Sequence, residues 1–386
     1  MPNHRPWYED WEAQCERAKA FIIAYCIDDR RIDDDEKLPN FPAEIDAFED
    51  FTFMKLIYES NRLEKAGLSE SDTKKLLQED EAFSDPGKTI SLCKTEIKTF
   101  DDLLKAFKTE ASAAKAPRSI FVFQEKERTE EEVRRHYRAI SYALHVLLER
   151  NKNEFLRVIP KSYMSRKNAD SQAPALKEIW RNQSDRPLDI PLKPIGFFSS
   201  KDIRRLHFLM ARGLLPRDAR VEAGFWRIDN RTTDFQTAFP APENIPKAME
   251  LFIRNANHLM ESFRTLWFSL YFQIGQNASE LMASNENPVL NAARISYDFV
   301  AIHPFPDFNG RLSRLIMNMV LRAYGLRFYA VLRGSAKEKH RYLTALRHAN
   351  RGKISSYACL IARAVNDGFD QLNTNLKKAG LRPIGD

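Results

Sequence analysis

The stretch that most constrains this chain is His303-Pro304-Phe305-Pro306-Asp307-Phe308-Asn309-Gly310-Arg311-Leu312-Ser313-Arg314. It holds an imidazole, a carboxylate, an amide, a glycine and two guanidiniums. Residues 291–302 before it are mostly apolar. Residues 315–324 after it read as a buried helix that stops at Gly325. The spacing predicts a polar loop broken between two core helices, the second starting near Gly310 or Arg311.

Such a loop suits a polyphosphate. The first N–H groups of a helix are unpaired, and its dipole favours an anion there. Gly310 allows close approach to the backbone. Arg311 and Arg314 are three apart, so both guanidiniums are placed to hold phosphate oxygens. Asp307 is a hard oxygen donor of the kind Mg²⁺ takes. His303 is the obvious proton acceptor for a hydroxyl nucleophile. Any one of these residues is as well read as part of a capped helix connection with solvated arginines. The ordered set is not.

The segment resembles the signature of Fic domains, His-Pro-Phe-x-Asp/Glu-Gly-Asn-Gly/Lys-Arg-x-x-Arg. It departs only at Phe308, where the family has glycine. If that glycine has a positive φ, phenylalanine carries a strain of about 1 kcal/mol or more. Its ring would also crowd the phosphate nest. The resemblance implies a mainly α fold, a Fic-type helical bundle with a short β-hairpin flap over the active site. It implies transfer of AMP from ATP to a Ser, Thr or Tyr hydroxyl of a target protein. His303 would take the hydroxyl proton and Asp307 would hold Mg²⁺ (or Mn²⁺). Asn309 and the backbone at Gly310 would stabilise phosphate oxygens, and Arg311 and Arg314 would neutralise the β and γ ends. Phe305 is expected as a core plug. Tyr342 and Asn350 are carried over as neighbours of the nucleotide pocket.

Two further segments resemble parts of that family. Ser60-Asn61-Arg62-Leu63-Glu64-Lys65 is similar to its inhibitory helix motif, Ser/Thr-x-x-x-Glu-Gly/Asn, departing at Lys65. The resemblance implies that Glu64, with Ser60 on the same helix, docks on Arg314 and takes the γ-phosphate place. Gly224-Phe225-Trp226-Arg227-Ile228-Asp229-Asn230-Arg231-Thr232-Thr233 reads as a hairpin with a polar turn, followed by Phe239-Pro240-Ala241-Pro242. It resembles the Fic flap, with Arg231, Thr232 and Thr233 at the turn. Such a flap holds a target segment by adding a strand. Other activities of the same fold stay open: AMP removal, or UMP or another phosphoryl donor. So do self-modification and an oligomeric assembly. A non-catalytic ATP-binding adaptor is the competing class.

Net charge is +7, from 60 basic and 53 acidic residues, which suits an anionic substrate and is too evenly spread to argue nucleic acid. Cys15, Cys26, Cys93 and Cys359 form no CxxC pair, so reduced thiols in a cytoplasmic protein are expected. The N-terminus lacks the apolar run of a signal peptide, and no apolar run approaches a membrane span. The Gly87-Lys88-Thr89 triplet is not a phosphate loop, because Ala82 stands where a glycine is required.

The chain divides into 1–85, carrying the inhibitory helix at about 51–67; an intermediate region 86–198; a core at 199–332; and C-terminal helices at 333–386. Helices are expected over 5–30, 51–67, 69–77, 100–107, 130–150, 201–213, 246–275, 288–302, 338–348 and 354–369. The segment 84–89 reads as a polar linker, 119–124 as a short β-like run, and 151–194 as an extended connection with one helix near 175–181. The tail from Asn373 is expected to fray. His136 and His145, nine apart on one helix, are read as ordinary packing or surface histidines.

Overall fold

The computed structural model describes residues 7–31, 43–79, 85–108, 112, 114–119, 123–148, 150, 197–232, 239–271 and 287–384. These are mainly helical. In chain order the elements are α1 (Trp11–Arg31), α2 (Ala43–Leu63), α3 (Glu70–Glu79), α4 (Pro86–Ala106), α5 (Glu125–Tyr142) running into a π-helical turn (Ala143–Leu148), α6 (Ser200–Ala211), α7 (Ile245–Tyr271), α8 (Pro288–Ile302), α9 (Asn309–Ala323), α10 (Ala336–Ala349) and α11 (Ser355–Lys378).

The centre is α9. Leu312, Leu315, Ile316, Met317, Met319, Val320 and Leu321 are all buried, so the helix is covered on every side. Its main partner is α8; α2 and the π-helical turn close on it as well. The α8 helix starts sharply because Asn287 Oδ1 accepts from the Val289 and Leu290 N–H groups at 3.0 and 3.2 Å, with Pro288 in the first turn. Around this pair, α7 lies on α8, α6 lies on α5 and α4, and α11 spans α1, α10, α8 and α2. The loop between α8 and α9 is therefore hung from two buried helices.

Several boundaries differ from the sequence reading, each for a local reason. The residues 84–89 read as a linker are largely the start of α4: Asp85 Oδ1 accepts from Gly87 and Lys88 N–H, and Pro86 occupies the first turn. The α5 helix begins at Glu125, not 130, because Gln124 and Glu127 form a capping box. The α2 helix begins at Ala43, not 51, and α1 at Trp11, after a turn at 7–10.

The tail is not frayed. The apolar spacing of Phe369, Leu372 and Leu376 carries α11 to Lys378, and Asn373 exchanges hydrogen bonds with the Ile384 backbone at 2.9 and 3.2 Å. Ser119, Phe123 and Gln124 belong to no strand; 120–122 and 151–196 lie outside the described residues.

The expected hairpin is also not formed among the described residues. Residues 226–231 are irregular, Thr232 makes a lone bridge, and Thr233 with 234–238 lies outside them. The Arg227 guanidinium donates to the carbonyls of Asp229 and Pro240 at 2.6 Å each. Among the described residues no helix is long and apolar enough to cross a membrane.

Candidate active site

The loop from His303 to Phe308 is a strained backbone held from several directions. Among the described residues, the non-glycine positions with positive φ are His303 (φ 50), Phe308 (φ 62) and Lys65 (φ 58). All three lie at this site. Strain of this kind persists only where the surroundings over-determine it.

The restraints are specific. The Asn309 amide closes the loop on itself: Oδ1 accepts from Phe305 N–H at 3.0 Å and Nδ2 donates to the Phe305 carbonyl at 2.8 Å. The sequence reading aimed this side chain at phosphate; it is buried and spent on the loop, leaving only its backbone N–H for an anion. Phe305 is fully buried, as expected of a plug.

His207, on α6, was not singled out from sequence. Its Nδ1 accepts from Gly224 N–H at 2.8 Å, so Nε2 carries the proton and donates to the Asp307 carbonyl at 3.0 Å. Its ring stacks on Phe305 at 3.8 Å between centroids. Burial pushes its pKa down to about 3, so it stays neutral and keeps this tautomer.

The His303 ring stacks on Phe239 at 4.1 Å. Burial, then the Arg227 charge, push its pKa down to about 4; the Val300 carbonyl and Glu64 oppose the shift. At neutral pH the imidazole is uncharged and able to accept a proton. Asp307 is half-buried, and its Oδ1 accepts from Phe308 N–H at 2.6 Å. Among the described residues no three His, Cys, Asp or Glu converge on a point. A single hard carboxylate fits a Mg²⁺ that draws its other ligands from phosphates and water.

On the other side of the loop, the N-terminus of α9 faces a carboxylate. Glu64 Oε1 lies against Gly310, so a Cβ there would overlap it. Arg314, 1% exposed, donates from Nη2 to Glu64 Oε1 at 2.7 Å and to the Ser60 carbonyl at 2.9 Å, and from Nε to Ser60 Oγ at 2.8 Å. Burial alone would raise the Glu64 pKa; Arg314 and then Arg311 outweigh it and hold the carboxyl below its usual range. Tyr342 is on the same arginine, its hydroxyl 3.4 Å from Nη1.

Glu64 reaches this point because α2 ends just before it in a Schellman motif. Ala66 N–H donates to Asn61 O and Lys65 N–H to Arg62 O, both at 3.0 Å. Lys65 is the left-handed residue of that motif, the place where a glycine or asparagine is cheapest. The end of α2 is also held by Gly334 N–H on Glu59 Oε2 at 2.6 Å and by the Lys339 ammonium on the Leu63 carbonyl.

Arg311 is already paired. It donates to Glu132 at 3.2 Å and to Asn61 Oδ1 at 3.3 Å, and its guanidinium carbon lies 3.7 Å from the centre of the Phe308 ring. Glu132, on α5, carried no motif signal. Phe308 is buried beneath Arg311 and edge-on to His207, so its ring does not crowd the anion side as expected. His136, also on α5, is buried, and burial followed by Arg311 and Arg314 hold it neutral; His145 is exposed. Asn350 ends α10 and accepts from the Tyr297 hydroxyl at 2.8 Å. Arg231 pairs with Asp229 at 2.7 Å.

A half-buried neutral imidazole, a half-open carboxylate and a helix N-terminus with an arginine on its first turn thus share one loop. Residues 197–321 match the Fic/DOC family.

The chain is similar to a protein adenylyltransferase Fic of Aedes aegypti, 41% identical over 84 residues, covering 22% of this chain and 16% of that protein. A protein of the same name from Nematostella vectensis is 35% identical over 104 residues, covering 26% and 22%. The matched part thus spans less than a quarter of those relatives. Among solved structures, a Fic domain containing signaling protein from Bacteroides thetaiotaomicron superposes with a TM-score of 0.50 at 16% identity, covering 98% of both chains. Fic-1 from C. elegans gives 0.52 at 16% identity, covering 95% of this chain and 73% of the other. These two likenesses establish the fold.

Proposed function

We propose that the chain is a protein AMP transferase restrained by Glu64. The observation that carries this reading is the Glu64 carboxylate lying across the first turn of α9 on Arg314, where a polyphosphate would seek the same N–H groups and guanidinium. A carboxylate there competes with the terminal phosphate of ATP for one arginine.

The reaction then follows from the residues around it. A Ser, Thr or Tyr hydroxyl of the target attacks the α-phosphorus. The new O–P bond forms as the bond from that phosphorus to the bridging oxygen breaks, pyrophosphate leaves, and His303 takes the hydroxyl proton. The uncharged imidazole is in the state this requires. Asp307 is the protein ligand for Mg²⁺ (or Mn²⁺), which supplies charge neutralisation to the phosphates when bound. Backbone N–H groups at Asn309 and Gly310, with Arg314, hold phosphate oxygens. Arg311 is assigned a different part from Arg314, because Glu132 holds it and it braces Phe308. The target segment is assigned to the 229–240 region with Arg231, Thr232 and Thr233, the chain itself included among the targets. A cytoplasmic setting goes with this reading.

The test is transfer of label from ATP labelled at the α-phosphorus, with Mg²⁺, in wild type, Glu64→Gly and Glu64→Gly/His303→Ala. Label rises in Glu64→Gly and falls by ~10²–10⁴-fold when His303 is lost. Equal labelling with and without His303 would reject it as the base. No label in any variant that binds ATP would reject the AMP-transfer reading.

A further inference from the structure

Arg227 is the largest fully buried side chain near the loop that the reaction above does not use. Its own N–H donates to the Pro304 carbonyl at 2.9 Å. Its side chain donates from Nε to the His303 carbonyl at 2.8 Å, from Nη1 to the Asp229 carbonyl at 2.6 Å and from Nη2 to the Pro240 carbonyl at 2.6 Å. Every acceptor is a main-chain carbonyl. The nearby Asp229 carboxylate is engaged by Arg231 at 2.7 Å. A buried guanidinium satisfied in this way is a rigid three-way brace, because the fork is planar and its donors have fixed directions.

Two of those carbonyls matter for the imidazole. His303 sits in the left-handed region at φ 50, so its backbone needs an outside restraint, and Arg227 supplies one at His303 and another at Pro304. Pro240 directly follows Phe239, whose ring stacks on the His303 imidazole at 4.1 Å with 15° between planes. One guanidinium therefore fixes both the backbone beneath the imidazole and the chain that carries the plate above it.

We propose that Arg227 is the positioning residue for His303, setting its backbone and its aromatic plate together and linking both to the carbonyl of Asp229. A target segment engaged at Asp229 or Pro240 thereby reaches the base through Arg227. The kinetic part of this inference rests on the AMP-transfer reading; the geometric part does not.

The test has one arm for each part. In the full chain carrying ¹³C-labelled histidine, with the His303 signal assigned by its loss in His303→Ala, the imidazole titration is followed in wild type, Arg227→Met and Arg227→Lys. The charged groups bearing on His303 are Arg227, Arg231 and Glu64. Removing a positive neighbour raises the pKa, so the titration moves from about 4 toward the ordinary imidazole range in Arg227→Met. In the Glu64→Gly background, kcat falls ~10²-fold while KM for ATP holds, as for a misplaced catalytic group.

Arg227→Lys keeps the charge and loses the fork. It brings the titration part of the way back and leaves kcat low. A folded Arg227→Met protein with wild-type titration and kcat would overturn the proposal. So would full recovery of kcat in Arg227→Lys, which would make the role purely electrostatic. If Arg227→Met does not fold, Arg227→Lys decides alone by the same criterion. If no variant transfers label, the AMP-transfer reading fails, and the Arg227→Lys titration, in which the charge is kept and only the fork is lost, decides the positioning role: a fully wild-type titration there overturns it.

Discussion

Phe308 shows how one residue can break a motif and still belong in the site. The sequence suggested strain, and the backbone does carry a φ of 62. A left-handed non-glycine costs about 1–2 kcal/mol. Against that stands the ring, buried under the Arg311 guanidinium and beside His207. Removing a buried phenylalanine ring costs about 3–5 kcal/mol. Packing outweighs strain, so Phe308→Gly, although it restores the family residue, is predicted to lower stability by a net of about 2 kcal/mol. Urea unfolding checks it; a gain in stability would mean that strain dominates. His303, Asp307, Gly310 and Arg314 were legible because they form a polar loop and first turn between two apolar runs, whereas Ser60 and Glu64 came only from the resemblance to an inhibitory helix motif. Glu132, His207 and Arg227 were not. Each acts on the loop from a distant part of the chain through a backbone carbonyl or a buried pair, and such contacts leave no local pattern.

At the scale of the element, the end of α2 decides how firmly the site is closed. The Schellman motif sets Glu64 at the helix end and forces Lys65 into the left-handed region. Lys65 is exposed and lends that turn no packing to offset the strain, unlike Phe308. Lys65→Gly is therefore predicted to stabilise the turn by about 1 kcal/mol. It should raise Tm and lower label transfer below that of wild type, because Glu64 is held in place longer. A variant with higher Tm and unchanged or greater transfer would separate the helix end from the restraint. The helices themselves were legible wherever apolar spacing marked them, as at 288–302. They were misjudged where capping marked them instead: Asp85-Pro86-Gly87 looked like a linker and is a helix start. The flap is a different case. Its aromatic run and polar turn suggested a hairpin, of which Thr233 and 234–238 lie outside the described residues; within them Arg227 donates to the Asp229 and Pro240 carbonyls.

For the whole molecule, three partly or fully buried histidines tie stability to pH. His136, His207 and His303 come from α5, α6 and the end of α8, and all three pack around the loop and first turns of α9. Each is held below the ordinary imidazole range by burial first, to about 3 for His207 and about 4 for His303. A group whose folded pKa is depressed binds its proton in the unfolded chain first. Between pH 6.5 and about 4 the unfolded state therefore holds more protons than the folded one, and stability rises with pH. It is fully present above 6.5 and is lost as the solution is acidified toward the folded values. Asp50 and Asp298, raised by burial, work the other way. The urea midpoint is thus predicted to fall from pH 7 to pH 5, with net proton uptake on unfolding near pH 5. His207→Gln should flatten part of that slope, since it removes one titrating group. A midpoint independent of pH over this window would mean that water reaches these imidazoles in the folded state. Because all three surround one loop, acid should loosen the loop before it unfolds the outer helices, and ATP affinity should drop at a higher pH than helicity does.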